Sequence, residues 1–156
     1  MLPLKRILCP TDFSDFSYDA IEKGVELAKH FGAELCVLYV TPALENTPAL
    51  TPFQDFVGVD SGQLETAAWN HAERKLVELI KRHHLSGVRV RSLIRRGLPA
   101  EEIVSVADEE KSDLIVIATH GLTGWRHQVF GSVAEEVLRR SRCPVLVTRV
   151  LEAQGE

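Results

Sequence analysis

Apolar positions along the chain fall into two alternating kinds of segment. Short runs rich in β-branched and aliphatic residues predict strands at Lys5–Pro10, Glu34–Val40, Val88–Ile94, Asp113–Ala118 and Pro144–Arg149. Around Ile7, Val37 and Ile115 the runs are nearly continuous rather than alternating, which is the pattern of central parallel strands covered on both faces. Val88–Ile94 instead interleaves Arg89 and Arg91 with apolar residues, as expected of an edge strand with one wet face.

Between these runs the apolar spacing changes to three and four. Ile21, Val25, Ala28 and Phe31 predict a first helix, which Gly32 ends in a left-handed position. Leu64, Ala68, Ala72, Leu76 and Leu79 predict a second from about Gln63 to His84. A third begins at Pro99 and buries Ile103, Val106 and Ala107. A fourth opens at Ser132, where Ser132-Val133-Ala134-Glu135 reads as a capping box and Val133, Val137 and Leu138 as the buried face. Strands and helices in strict alternation predict an α/β fold: an open, doubly wound, five-stranded parallel sheet with helices on both faces. Ligands of such sheets bind where the strand order reverses, above the carboxyl ends of the strands.

At 156 residues the chain has room for one core, expected over residues 1–151 with 152–156 as a frayed tail. The connection from Thr41 to Gly62 is long, with three prolines and the apolar residues Phe53, Phe56, Val57 and Val59, a composition suited to a functional loop or lid. A net charge of −4 argues against broad binding to nucleic acid or to an acidic membrane face, so an anionic ligand must be held locally. No apolar run approaches the length of a membrane span, and the first residues do not resemble an export signal. Cys9, Cys36 and Cys143 are far apart and lie in apolar surroundings; they read as reduced core residues of a cytoplasmic protein.

The candidate chemistry lies after the fourth strand. Ala118, Thr119, His120, Gly121 and the loop through Gly124, Trp125, Arg126, Phe130 and Gly131 lead into the helix at Ser132. A strand, a glycine-bearing loop and a helix start are the parts of a phosphate cradle, because backbone donors approach an anion where no side chain intervenes and the helix dipole adds positive charge. The spacing fits neither a P-loop nor a dinucleotide fingerprint. His120 is either a turn-ordering residue or an acid–base group beside phosphate; Arg126 is within reach of the same anion. Asp12 either orients the turn into the first helix or faces a ligand. His83-His84 suits the carbonyl end of the second helix better than a metal site.

Lys5–Ser14 (KRILCPTDFS), the alternation of elements, and the stretch from His120-Gly121 through Gly131-Ser132-Val133-Ala134-Glu135 to Cys143-Pro144-Val145-Leu146-Val147 resemble the universal stress protein family over nearly the whole chain. The ATP-binding branch of that family carries Gly, two residues, Gly, nine residues, Gly, then Ser or Thr. Gly121, Gly131 and Ser132 fit that pattern, while Ala118 stands at its first glycine. The resemblance implies strand order 3-2-1-4-5. It implies that Asp12, after Pro10 and Thr11, bonds the ribose of an adenine nucleotide, that Val40 meets the adenine, and that Gly121, Gly131 and Ser132 surround the phosphates. The peptide at Ala118 would approach the ribose, and His120, Arg126 and Val133 complete the expected site. ATP is the expected cofactor, with Mg²⁺ carried by its phosphates, and a homodimer through Pro144–Val150 the expected assembly. The function expected is a stress-response protein that uses nucleotide occupancy as a switch. A nucleotide-free dimeric module and a slow ATP hydrolase or adenylyl-type enzyme stand as alternatives, with no residue pattern supplying a convincing nucleophile or base.

Overall fold

The computed structural model of the chain describes residues 3–43, 60–82, 87–119 and 131–149. Their order is β1 (Arg6–Thr11), α1 (Asp15–Phe31), β2 (Glu34–Thr41), α2 (Ser61–Arg82), β3 (Arg89–Arg96), α3 (Pro99–Glu109), β4 (Leu114–Ala118), α4 (Ser132–Arg140) and β5 (Val145–Thr148). All strand pairs are parallel and the sheet order is β3-β2-β1-β4-β5, so the reversal falls between β1 and β4. Strand boundaries differ from the sequence expectation by one or two residues; Thr11 and Thr41 join β1 and β2, and Pro144 and Arg149 lie outside β5.

Two buried layers explain the continuous apolar strands. Ile7, Cys9, Leu35 and Val37 face one side, where they meet Ile21, Val25 and Ala28 of α1 and Leu76 and Leu79 of α2. Leu8, Leu38, Ile115 and Ile117 face the other, against Ile103 and Val106 of α3 and Ala134 and Val137 of α4. Alternate side chains of one strand thus feed both layers, which only a sheet covered on both faces requires. Gly24 lets α1 approach the sheet closely: a Cβ there would clash with the Cys9 sulfur. At the end of α1, Gly32 has φ +66° and ends the helix as its sequence position predicts.

Two expectations for α4 are corrected. Its N-cap is Gly131, with φ −67° and ψ 153°; Ser132 is the first helical residue and does not cap, and the Glu135 carboxylate accepts from Arg139 rather than from the helix start. The capping box is therefore absent. Leu138 is 40% exposed, and Ala134 with Val137 forms the buried stripe, because a nine-residue helix meets the sheet along one short line only. In α2 the stripe is fully buried from Ala72 onward, while Leu64 and Ala68 are half-buried.

The edge assignment of β3 holds. Arg91 pairs with Glu34 and Glu110, Arg95 with Glu109, and Arg96 with Glu65, so three of its four arginines meet carboxylates of β2, of α2, and of α3 and the residue after it. Cys9 and Cys36 are buried and Cys143 half-buried; all three are free thiols. Burial pushes the Cys36 thiol up to about 11 and raises Cys9 further, so both are protonated and unreactive at neutral pH.

Candidate functional site

At the carboxyl ends of β1, β2 and β4 the described residues enclose an open cavity of about 270 Å³. That is near the lower end of the range for small-molecule sites. Its position is the one the reversal of strand order dictates, since the helices that follow β1 and β4 lie on opposite faces of the sheet.

The wall from β1 is built by a turn that matches several of its donors internally. The Phe13 N–H donates to Thr11 Oγ1 at 3.0 Å, and the Ser14 N–H to Asp12 Oδ1 at 3.0 Å. The Ser14 hydroxyl also donates to Asp12 Oδ1, and accepts from the Ser17 N–H as the N-cap of α1. Ser17 Oγ donates to the Ser14 carbonyl at 2.8 Å and lies 2.9 Å from Thr11 Oγ1. With the Ser17 proton committed to that carbonyl, Thr11 must donate to Ser17, and the direction of every hydroxyl in the circuit is fixed. Asp12 is thus both the Asx-turn residue and part of the cavity wall. Its carboxylate also acts on Tyr39 across the cleft: burial raises the phenol above its usual range, and Asp12 adds to the shift.

The opposite wall is built differently. The Gly131 N–H donates to the Thr119 carbonyl, and the Thr119 N–H to the Thr148 carbonyl at 3.0 Å, so the start of α4 is tied to the ends of β4 and β5. The first bond inside α4 runs from the Glu135 N–H to the Gly131 carbonyl at 3.0 Å. The N–H groups of Ser132, Val133 and Ala134 precede it, and all three residues line the cavity. The N-cap residue, Gly131, has no side chain with which to cap this helix. Such a start presents backbone donors and the positive end of the dipole to whatever lies in the cleft. The floor between the walls is apolar: Leu38, Val40, Ile103 and Ile117.

The structure therefore brings together Pro10, Thr11, Asp12, Val40, Ala118, Gly131, Ser132 and Val133 around one cavity. His120, Gly121 and Arg126 lie outside the described residues, as do His83-His84, most of the Thr41–Gly62 connection, and the tail. Ala118 ends β4 in register with Thr148, and only Phe13 and Lys111 among described non-glycine residues have positive φ. Ala118 thus has no left-handed backbone for glycine to relieve. Sequence reasoning missed Tyr39 and Ser17, and it missed Pro99, although a proline opening α3 beside the strand ends is a legible pointer to the cleft rim.

Residues 3–149 match the sequence model of the universal stress protein family. The chain belongs to this family. It is 34% identical to Universal stress protein MJ0531 of Methanocaldococcus jannaschii over 146 residues, covering 93% of this chain and 82% of that one. To Universal stress protein YxiE of Bacillus subtilis it is 32% identical over 152 residues, 92% and 98% of the two chains. Among solved structures, universal stress protein UspA from Lactobacillus plantarum superposes with a TM-score of 0.79 at 26% identity, covering 96% of this chain and 100% of that one. Two further universal stress proteins share the fold: one solved with cAMP (TM-score 0.67, 23% identity, 95% of this chain and 98% of that one) and one from Archaeoglobus fulgidus solved with dAMP (0.58, 22%, 94% and 98%).

Proposed function

We propose that this universal stress protein is a single domain over residues 1–151 that binds ATP or a related adenine nucleotide in the cleft between β1 and β4, and that occupancy of the cleft is its signal. What carries the reading is the polarity of the cleft. A carboxylate stands on the β1 wall, an uncapped helix start on the α4 wall, and an apolar floor between them. A nucleotide has the matching order: ribose hydroxyls donate to a carboxylate, a flat base needs an apolar slot, and phosphate oxygens accept from backbone donors. Ala118, with its strand conformation and single methyl, does not oppose this. cAMP and dAMP belong to the two neighbours that hold them; for this chain they serve as candidate ligands of the same chemical class.

Binding rather than turnover is the activity. Among the described wall residues Asp12 is the sole carboxylate, and none is His or Cys. Asp12 Oδ1 already accepts two bonds from Ser14, which leaves it poorly placed to activate water. Mg²⁺ enters with the phosphates, since the described residues contain no cluster of His, Cys, Asp and Glu able to hold a metal. Two buried free thiols suit a reducing, cytoplasmic setting. Calorimetric titration with ATP, together with mass spectrometry of ligand released from the purified protein, is the test: saturable binding at one site per chain is expected. A folded protein that binds no adenine nucleotide overturns the reading and leaves the nucleotide-free module. Incubation with labelled ATP checks that product forms slowly or not at all.

Assembly through β5 is part of the same proposal. Its four residues form the second edge of the sheet, Leu146 is 41% exposed, and no lysine or mid-strand proline blocks pairing. Two copies meeting antiparallel about a two-fold axis would close both edges. Val147→Pro removes a ladder donor and is expected to turn a dimer into a monomer by light scattering, with circular dichroism confirming the fold. A monomeric parent at tens of micromolar sinks the interface.

A further inference from the structure

The residue between Asp12 and Ser14 is the least expected feature beside the cleft. Phe13 has φ +63°, a left-handed conformation that glycine or asparagine adopts readily and a bulky aromatic residue adopts only under constraint. The constraint is visible. The Phe13 ring lies 4.7 Å from the Tyr39 ring, centroid to centroid, tilted by 36°, and Lys75 Nζ sits over it, 5.0 Å from its centroid. Tyr39 comes from the end of β2 and Lys75 from α2, so two elements distant in sequence grip one ring. Capping of α1 does not need this ring, because Ser14 does the capping. What the left-handed turn does accomplish is the reversal that lets Asp12 Oδ1 accept from the Ser14 N–H while Asp12 remains in the cavity wall.

We propose that Phe13 is a positioning residue: clamped by Tyr39 and Lys75, its ring holds the left-handed turn that presents the Asp12 carboxylate to the ribose. The inference rests on the reading of Asp12 as the ribose acceptor. Backbone strain at a binding turn persists only where surrounding contacts over-determine it, and here those contacts are ring packing and a cation over a π face. Without the ring the turn keeps its own hydrogen bonds but loses the packing that restricts residue 13 to one conformation, and the carboxylate is held less firmly.

The test measures affinity for ATP and for 2′,3′-dideoxy-ATP, which lacks the ribose hydroxyls, in the full chain and in Phe13→Gly, Asp12→Ala and the double variant. Glycine accepts φ +63° freely, so Phe13→Gly removes the clamp without adding strain. It is expected to weaken ATP about tenfold, on the order of the 1.4 kcal/mol that one decade represents, and to leave dideoxy-ATP within about twofold. The double variant is expected to bind ATP no worse than Asp12→Ala, since both changes act through one carboxylate. Equal losses for the two ligands, or additive losses in the double variant, overturn the inference and make Phe13 a packing residue only. If Phe13→Gly does not fold, Lys75→Met serves instead; the side chain is exposed, and a two- to fivefold loss confined to ATP is expected from removing the cation. No such loss overturns the inference. Failure of the nucleotide reading looks different: either the unaltered protein does not bind ATP, or Asp12→Ala loses both ligands equally, and both results remove this inference as well.

Discussion

Two strand-to-helix turns face each other across the cleft, and they solve the same problem in opposite ways. At β1–α1 the donors of Phe13, Ser14 and Ser17 are taken up by Thr11, Asp12 and Ser14, so the turn satisfies much of itself with its own side chains. At β4–α4 the N-cap is a glycine with no side chain to offer, and the first-turn residues Ser132, Val133 and Ala134 line the cavity. A helix start whose donors are partly taken up by a side-chain cap has fewer left for an anion; one without such a cap keeps more of them. The difference gives the cleft a direction, acceptor on one wall and donors on the other, which neither turn would have alone.

Reversing the open turn is expected to have the largest effect. Gly131 has ordinary extended backbone, φ −67° and ψ 153°, which aspartate adopts without strain and in which it caps helices well. Gly131→Asp is expected to hold or raise stability, by a few tenths of a kcal/mol for the cap and about 0.3–1 kcal/mol for a negative charge at the dipole, while abolishing nucleotide binding. Melting and calorimetry on the same sample separate the two effects. Undiminished ATP affinity in this variant would falsify the assignment of α4 as the phosphate wall.

Removing the acceptor from the closed turn comes next. Asp12→Ala is expected to cost about 1.5–3 kcal/mol in ATP affinity, roughly ten- to hundredfold in Kd, and far less for dideoxy-ATP. Stability also falls, since the Ser14 N–H loses its acceptor. The affinity ratio between the two ligands, which a general weakening of the turn would not move, decides the question.

The smallest effects make the sharpest contrast, because two serines at two helix starts are expected to behave oppositely. Ser14→Ala removes the α1 cap and should lower stability by about 1 kcal/mol, a fall in Tm of about 2–4 °C for a chain of this size. Ser132→Ala removes an exposed side chain that caps nothing and should change stability by less than about 0.5 kcal/mol, with its consequence in ATP affinity instead. A Tm loss at Ser132 as large as that at Ser14 would restore the capping box that the sequence pattern suggests.

That misreading of Ser132 has a physical origin. Gly131 and Ser132 are both good N-cap types, and the spacing to Glu135 selects Ser132 only if the helix begins one residue later than it does. The bond from the Gly131 N–H to the Thr119 carbonyl fixes where the chain leaves β4 and sets the register of the first turn. Leu138 illustrates the same limit: its spacing fits a buried stripe, but how much of α4 reaches the sheet depends on the angle at which a short helix docks.

Among the described residues, the amino-acid order alone specified the alternation of five strands and four helices, the both-sides burial of β1, β2 and β4, the wet edge at β3, the left-handed stop at Gly32, and the opening at the carboxyl ends of the strands where their order reverses. Each of these follows from hydrophobic period, local backbone preference or the handedness of crossovers, all of which act over a few residues or on the whole topology at once. Tertiary structure alone decided which helix start stays open, and it alone put Phe13 in a conformation its own side chain disfavours. Tyr39 and Lys75 hold that ring from 26 and 62 positions away. Packing between segments so distant outweighs the local preference of a single residue, and no local pattern records it.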